Sequence, residues 1–241
     1  MRLLWFGCVL FPVGALAADL PTFSATYDFN LDNKLSGKAT RTLSRVGDQY
    51  HYEFSAKASF ASALETSDFE FDGKQVRSLS YRNRKQVFFR SRENTVRFDW
   101  NSKQAHTVHN DAGRDYAIRD DVLDPLNLEI QLRHEMQEGG KLKGEFWLGD
   151  VKGQHSVSFE INGTERIKTP YGVLDTIKVR RAHDDPGRVT QFWLAPSLDY
   201  LPVRFLQQDD GAVYTLLLSA YNLTGVTKSL GHGVAVLPPV N

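Results

Sequence analysis

The sequence predicts a mainly β protein, in which a single antiparallel meander of about ten to twelve strands forms a strongly curved sheet or half-barrel with one short helix. Three observations predict this fold class. Apolar residues alternate with polar ones along most of the chain, turn-forming residues separate the alternating segments, and one segment between residues 124 and 140 breaks the alternation.

Apolar side chains recur at every second position in five segments. Successive side chains of a strand point to opposite faces, so each apolar row would lie in a core while the polar residues between them face water. The five rows are Phe23, Ala25, Tyr27, Phe29 and Leu31; Tyr50, Tyr52, Phe54, Ala56, Ala58 and Phe60; Val96, Phe98 and Trp100; Val157, Phe159 and Ile161; and Leu201, Val203 and Phe205.

Turn-forming residues lie between the alternating segments. Glycine and asparagine accept the positive φ that a tight hairpin requires. Strands joined by such short turns pair as antiparallel neighbours, and this connection predicts the meander. The turn-forming groups are Gly47-Asp48, Asp72-Gly73, Asn162-Gly163, Pro170-Tyr171-Gly172 and Asp210-Gly211.

The interrupting segment is predicted to be a helix over residues 125–137. Asp124 is placed to cap the helix, Pro125 fits a first turn where its missing N–H is not needed, and Gly139-Gly140 would end it. Its apolar residues do not fall on one stripe, so we expect the helix to be tucked into or across the sheet. These residues are Leu126, Leu128, Ile130, Leu132 and Met136.

The first 17 residues are typical of a secretory signal peptide, which predicts a periplasmic location. Arg2 precedes an apolar run over residues 3–16, and Ala15 and Ala17 form a small-residue exit. The run is shorter than the roughly 20 residues of a membrane-spanning helix, and an uncleaved anchor is the alternative. We expect cleavage near Ala17, a single β-rich domain over residues 18–226 and a loosely ordered tail over residues 227–241.

Cysteine content and charge exclude several function classes. Cys8 is the only cysteine and lies inside the predicted signal peptide, so the exported chain would have neither a disulfide nor thiol chemistry. The chain carries 29 basic and 29 acidic residues, which does not favour a nucleic-acid partner. No later segment is apolar enough to span a membrane, and no motif predicts a cofactor.

Three segments of the sequence resemble those of a known family. They are Asp124-Pro125 opening a helix that reaches Arg133, the segment 169–179, and the segment 192–197 followed by 201–205. In this order, behind a signal peptide, they resemble the exported bacterial proteins of domain-of-unknown-function family 3108. The resemblance implies one β-rich domain in the periplasm of a Gram-negative bacterium, and it implies no activity. A curved sheet with a helix on its concave side is also similar, in fold alone, to the lipoprotein-carrier half-barrels.

Aromatic residues supply the candidate ligand-binding residues. Trp100, Trp147, Trp193 and Tyr200 are predicted to line an apolar cleft, with Arg133 as the partner of a charged head group. The alternative is that these side chains pack the core, since aromatic residues are common in sheets.

Histidines and aspartates suggest two further kinds of site. His106 and His109 lie three positions apart, so in a strand they point to opposite faces, and we predict no metal site there. A pair of aspartates would suggest a hydrolase if the two converged in a cleft, although helix capping and turn formation also explain these residues. The candidates are Asp120, Asp121, Asp124, Asp184 and Asp185.

Five basic residues are expected on two adjoining strands. They would form either a basic face for anionic groups of the cell envelope or a solvated face with cross-strand partners such as Glu93. These residues are Arg82, Arg84, Lys85, Arg90 and Arg92.

The leading functional hypothesis is a non-enzymatic binding or carrier protein of the periplasm. Its ligand would be an apolar or amphipathic component of the envelope, such as a lipid or lipopeptide, held between the concave face of the sheet and the helix. The alternatives are an envelope structural or interaction protein that docks a protein partner, and a carboxylate-dependent envelope hydrolase. An open apolar cavity inside the sheet would favour the first hypothesis, and a fully packed concave face would contradict it.

Overall fold

The computed structural model describes residues 19–224 as fifteen strands, one α-helix (α1, Asn127–Gly139) and a short 3-10 turn (Pro196–Leu198). The predicted signal peptide and the predicted tail lie outside these residues. The strands β1 to β15, in chain order, are Phe23–Leu31, Leu35–Val46, Gln49–Lys57, Ala61–Phe71, Val76–Val87, Arg90–Asp99, Gln104–His109, Ala112–Ala117, Val122–Leu123, Glu145–Asp150, Gly153–Lys168, Val173–Ala182, Val189–Ala195, Leu201–Asp209 and Ala212–Leu223.

All fifteen strands belong to one sheet. Its spatial order runs from β8 down to β1, continues with β15, and then runs from β14 down to β9. Every described pair is antiparallel except β9 with β10, and β1 lies between β2 and β15. The structure therefore confirms a single antiparallel meander with one helix, in which the first and last strands are neighbours in the middle of the sheet.

The sheet has more strands than the ten to twelve expected, because the strands near one edge are short and polar. In β7 only Ala105 and Thr107 are buried, and in β8 no residue is buried. These strands are held mainly by their backbone pairing with the preceding strand, and they lack the apolar row that reveals a strand in a sequence.

The sheet curves until its two edges approach one another. The Tyr116 hydroxyl of β8 donates a hydrogen bond to the Asp150 carbonyl of β10 at 2.9 Å, and an Arg114 guanidinium N–H donates to the Lys152 carbonyl at 3.1 Å. A Cβ added at Gly149 would lie 3.0 Å from both the Tyr116 hydroxyl and the Phe98 ring. The backbone of β10 can come this close to these side chains because residue 149 has no side chain. We call these contacts the seam; they join the edges through side chains, and the barrel is not closed by a backbone ladder.

Helix α1 lies inside the curve of the sheet and is buried on nearly all sides, as predicted from its scattered apolar residues. It begins at Asn127 rather than at Pro125, and the Asp124 carboxylate ahead of it accepts the N–H groups of Leu126 and Asn127, both at 2.9 Å. It ends at Gly139, later than the predicted residue 137, and Gly140 at φ 63° donates its N–H to the Met136 carbonyl. Among the helices of residues 19–224, none is long and apolar enough to cross a membrane.

Candidate ligand-binding site

The inside of the curved sheet has a filled end and an open end. Helix α1 fills the end at which β1 begins, where the Arg133 guanidinium lies 4.6 Å from the centre of the Phe23 ring. The other end holds a mainly apolar cavity of about 400 Å³ that opens to solvent. We call it the open cavity; its lining residues are Phe29, Leu31, Leu35, Phe54, Ala56, Ala61, Ser62, Ala63, Glu65, Lys85, Gln86, Val87, Gln207, Asp209, Ala212 and Tyr214.

The open cavity exists because small side chains occupy core-facing positions of β3 and β4. The inward row of β3 begins with tyrosines and ends at Ala56, which lies directly opposite Ala63 of β4. Ala61, two positions earlier in β4, faces the same side. Large residues at these positions would meet the opposite wall, and alanines leave the space empty.

Aromatic rings form the wall of the open cavity on the side of β1 and β15. The rings of Phe29 and Tyr214 lie 6.0 Å apart between centres. A Cβ added at Gly37 of β2 would lie 2.7 Å from the Phe29 ring, so the glycine allows this ring to rest against the backbone. Burial raises the pKa of Tyr214, so its hydroxyl stays protonated and can donate a hydrogen bond.

A buried ion pair separates the open cavity from helix α1. Arg41 of β2 pairs with Glu129 of the helix, and both side chains are buried. The Tyr52 hydroxyl donates a 2.6 Å hydrogen bond to Glu129, and the Arg41 guanidinium lies 5.4 Å from the centre of the Phe54 ring, which lines the cavity. The helix is thus anchored directly beneath the apolar wall.

The polar residues of the open cavity differ in how they are paired. Glu65 accepts a 2.9 Å hydrogen bond from the Tyr81 hydroxyl, and Asp209 accepts two hydrogen bonds from Arg188 at 2.7 and 2.9 Å. Lys85 is exposed and has no acidic side chain within 4.0 Å among residues 19–224. The arrangement can hold an apolar body and leaves one cation for an anionic end.

Two of the five predicted ligand-binding residues lie together at the filled end. The Arg133 guanidinium donates a hydrogen bond to the Asp199 carbonyl at 3.2 Å, and Tyr200 is the next residue. The Tyr200 N–H donates to the Ala195 carbonyl at 3.0 Å, which closes this loop on itself. Neither residue lines the open cavity.

Two of the three candidate tryptophans, Trp147 and the buried Trp193, point away from the inward rows of their strands. Trp147 alternates with the buried Phe146 and Leu148, so its ring faces outward, beneath the Arg119 guanidinium at 4.5 Å. The Trp193 indole N–H donates to Glu165 at 2.9 Å, which lowers the pKa of that carboxyl.

Trp100 lies at the filled end, near the start of the helix. Its indole N–H donates to the Ser78 carbonyl at 2.7 Å, and the Ser78 hydroxyl accepts the backbone N–H of Asp124. The structure therefore does not bring the five predicted residues to one place, and none of them lines the open cavity.

The clusters considered for catalysis or metal binding have separate partners. Asp120 pairs with Lys103, Asp121 with Arg119, and His106 with Asp115. Asp124 is buried beneath the helix. Within the described part of the chain, no group of three or more His, Cys, Asp or Glu side chains could hold a metal ion.

Alanines at core-facing positions of β3 and β4 could have indicated the open cavity, but the predicted apolar lining consisted only of aromatic residues. Ala56 belongs to the inward row of β3, and Ala61 and Ala63 alternate in the next strand. A run of small residues at core-facing positions of two paired strands indicates space, whereas aromatic side chains indicate filled volume. Within residues 19–224, many aromatic side chains pack the core and a few form one wall of the open cavity, while the alanines leave its space empty.

Comparisons with known proteins agree with the fold. A solved structure described as a β-barrel-like protein of domain of unknown function DUF1849 from Brucella abortus is similar, with a TM-score of 0.56 at 10% identity, over 87% of this chain and 100% of that chain. This likeness shows a shared fold. Among curated proteins, none matches. The model of the family described as "Protein of unknown function (DUF3108)" matches residues 22–218, so the chain belongs to the DUF3108 family.

Proposed function

We propose that this protein is an exported binding or carrier protein that holds an apolar or amphipathic ligand in the open cavity. The observation that carries the proposal is an apolar cavity of about 400 Å³ at one end of a sheet whose other end is filled by a helix. Ligand pockets commonly have volumes of about 300–1,000 Å³ and apolar linings with a few polar groups. A ligand that covers this wall removes apolar surface from water, which favours binding.

The chemistry of the lining favours an amphipathic ligand with an anionic end. Phe29, Phe54 and Tyr214 would contact the apolar body. Lys85 would pair with the anionic end, because Glu65 and Asp209 already have partners. An envelope lipid or lipopeptide has this combination of groups.

Export is supported by residues 1–17, which have the three parts of a secretory signal. The rest of the chain has no cysteine, and this composition suits an oxidising compartment because no unpaired thiol is exposed to it. A periplasmic location is part of the proposal, since it would bring the open cavity into contact with envelope components.

The proposal is tested by filling the open cavity. We expect Ala63→Leu to weaken the binding of N-phenyl-1-naphthylamine, an apolar probe that fluoresces out of water, by at least about ten-fold in Kd, since the added side chain occupies the space the probe needs. The measurement is a fluorescence titration of the full chain, with circular dichroism to show that the variant is folded.

The matched control is Ala112→Leu, which adds the same atoms at an exposed position of β8 away from the open cavity. This variant should bind the probe as the parent does. Equal probe affinity of the parent and a folded Ala63→Leu variant would contradict the proposal, as would a parent that binds no probe.

A further inference from the structure

Three phenylalanines are exposed at two adjoining turns beside the open cavity. Phe60 lies between β3 and β4 and is 45% exposed, and Phe88 and Phe89, between β5 and β6, are 62% and 101% exposed. Val87, the last residue of β5, is half exposed and also lines the cavity. We call these four residues the aromatic tip. Such a concentration of exposed aromatic surface is typical of an interaction site.

Hydrogen bonds and ring stacking fix the conformation of the aromatic tip. The Phe88 N–H donates a 2.8 Å hydrogen bond to the Phe60 carbonyl, which joins the two turns, and the two rings stack 4.8 Å apart at an angle of 5°. The Gln86 side chain donates to the Phe88 carbonyl at 3.2 Å. Phe88 has φ 52°, a left-handed conformation that is unfavourable for a bulky residue. The backbone is therefore strained at Phe88 while the ring of this residue is exposed to solvent. Strain kept at an exposed position favours a functional role.

Unpaired cations surround the aromatic tip. Each is exposed, and within residues 19–224 none has an acidic side chain within 4.0 Å. The nearby acid Glu93 is paired with Arg82. The unpaired cations are Lys57, Arg84, Lys85, Arg90 and Arg92.

We propose that the aromatic tip and its surrounding cations dock the protein on an anionic lipid surface. Aromatic side chains partition into the boundary between head groups and acyl chains, and each nearby Lys or Arg adds attraction to anionic head groups. The surface therefore complements phosphate head groups in both charge and polarity. Docking would also bring the mouth of the open cavity to the lipid surface, because Lys85 and Val87 belong to both.

The inference stands without any ligand in the open cavity. A tip that inserts into a lipid surface needs only its own exposed rings and charges. The two proposals therefore have separate variants, and the failure of one leaves the other standing.

The test measures co-sedimentation of the full chain with vesicles of phosphatidylethanolamine and phosphatidylglycerol. We expect the double variant Phe88→Asn and Phe89→Ser to lower the partition coefficient by at least about ten-fold, since two rings leave the interface. Asparagine tolerates the left-handed backbone of residue 88 better than phenylalanine does. The variant Arg90→Ser with Arg92→Ser should lower it by about five-fold per cation.

Two controls remove exposed apolar surface and exposed positive charge elsewhere. Val46→Ser removes an apolar side chain that is 81% exposed at the last position of β2, at the opposite end of the sheet. The pair Lys141→Ser and Lys168→Ser removes two exposed cations outside the aromatic tip. Both controls should bind the vesicles as the parent does.

The expected pattern is loss in the tip variants, retention in the controls, and weak binding of the parent to neutral phosphatidylcholine vesicles. The inference is overturned if the parent does not bind the anionic vesicles, or if folded tip variants bind as well as the parent does. In the first case the aromatic tip would instead be a candidate surface for a protein partner. Unchanged probe binding by the tip variants would separate this result from the proposal for the open cavity.

Discussion

At the scale of single residues, Asp124 combines two opposing influences on its pKa, because its carboxyl is fully buried and also accepts several hydrogen bonds. It accepts from Ser67 at 2.6 Å and from the Asn127 side chain at 2.8 Å, besides the two backbone N–H groups of the helix start. Burial raises its pKa to about 6, although the hydrogen bonds oppose this shift. The effect of burial, which raises the pKa, is therefore larger than the combined effect of the hydrogen bonds, which lower it.

The raised pKa of Asp124 predicts a pH-dependent stability. Its folded pKa of about 6 exceeds the unfolded value of 3.8, so its contribution is fully present below pH 3.8 and is lost as the pH rises through about 6. The loss should be about 3 kcal/mol of unfolding free energy. We expect Asp124→Asn to remove this part of the dependence, as measured by urea unfolding of parent and variant across this range.

The comparison between Asp124→Asn and its parent is informative because other carboxyls titrate equally in both. The control is Asp184→Asn, at an exposed position of the β12–β13 loop, whose stability profile should parallel that of the parent. Parallel profiles of Asp124→Asn and the parent between pH 3.8 and 7 would contradict the prediction.

The roles of single residues were only partly predictable. Asp124 was predicted as the N-cap because its place before Pro125 is a local signal. The N-cap residue is Leu126 instead, and the Asp124 carboxylate accepts two N–H groups at the start of the helix. The positions of Trp147 and Trp193 were not predictable in the same way. An aromatic residue in a strand can face either side, and only the register of the neighbouring strands decides which.

At the scale of elements, helix α1 is held by polar contacts as well as by packing. Glu129 pairs with Arg41, Gln131 accepts the Val76 N–H at 3.0 Å, and Arg133 donates to the Asp199 carbonyl. The sequence predicted a helix tucked against the sheet from its apolar residues alone. Its buried charges could not be located from the sequence, because their partners lie on distant strands.

The Arg41–Glu129 pair yields a prediction about the attachment of the helix. Arg41→Met leaves the Glu129 carboxylate buried without its partner, and we expect a loss of about 3–5 kcal/mol of unfolding free energy. Adding Glu129→Gln removes that charge while an acceptor for Tyr52 remains, so the double variant should be more stable than the single one. Guanidinium unfolding of the parent, the two single variants Arg41→Met and Glu129→Gln, and the double variant measures the difference.

The control for this cycle is Arg166→Met with Asp175→Asn, an exposed pair between β11 and β12. Exposed pairs contribute about 0–1 kcal/mol, so these variants should stay close to the parent. If Arg41→Met is as stable as the parent, or less destabilising than the double variant, the pair does not anchor the helix as described.

At the scale of the whole molecule, periodicity was enough to predict a curved antiparallel meander with one helix. The strand count was underestimated because β7 and β8 are too polar to show an apolar row. The open cavity could not be predicted, because its wall joins Phe29, Phe54, Val87 and Tyr214 from strands far apart in the chain. Only the curvature of the sheet brings these residues together.

Export is a further prediction about the whole protein. We expect a bacterial host to release the chain into the periplasm with Ala18 as its first residue, as measured by the intact mass of the protein from that fraction. Ala17→Tyr should block cleavage because signal peptidases require a small residue there, and Ala18→Ser should leave it unchanged. Recovery of the uncut parent chain from the cytoplasm would contradict the prediction.

The pairing of β1 with β15 has a consequence for the order of folding. Phe23 lies opposite Leu223, so the central ladder joins two segments that are far apart in the chain. A ladder of such high contact order cannot form before the last strand is available, and it forms slowly. We therefore expect the sheet to be completed only after β15 has been synthesised. If the chain is exported as proposed, this delay would keep it unfolded until it has crossed the membrane.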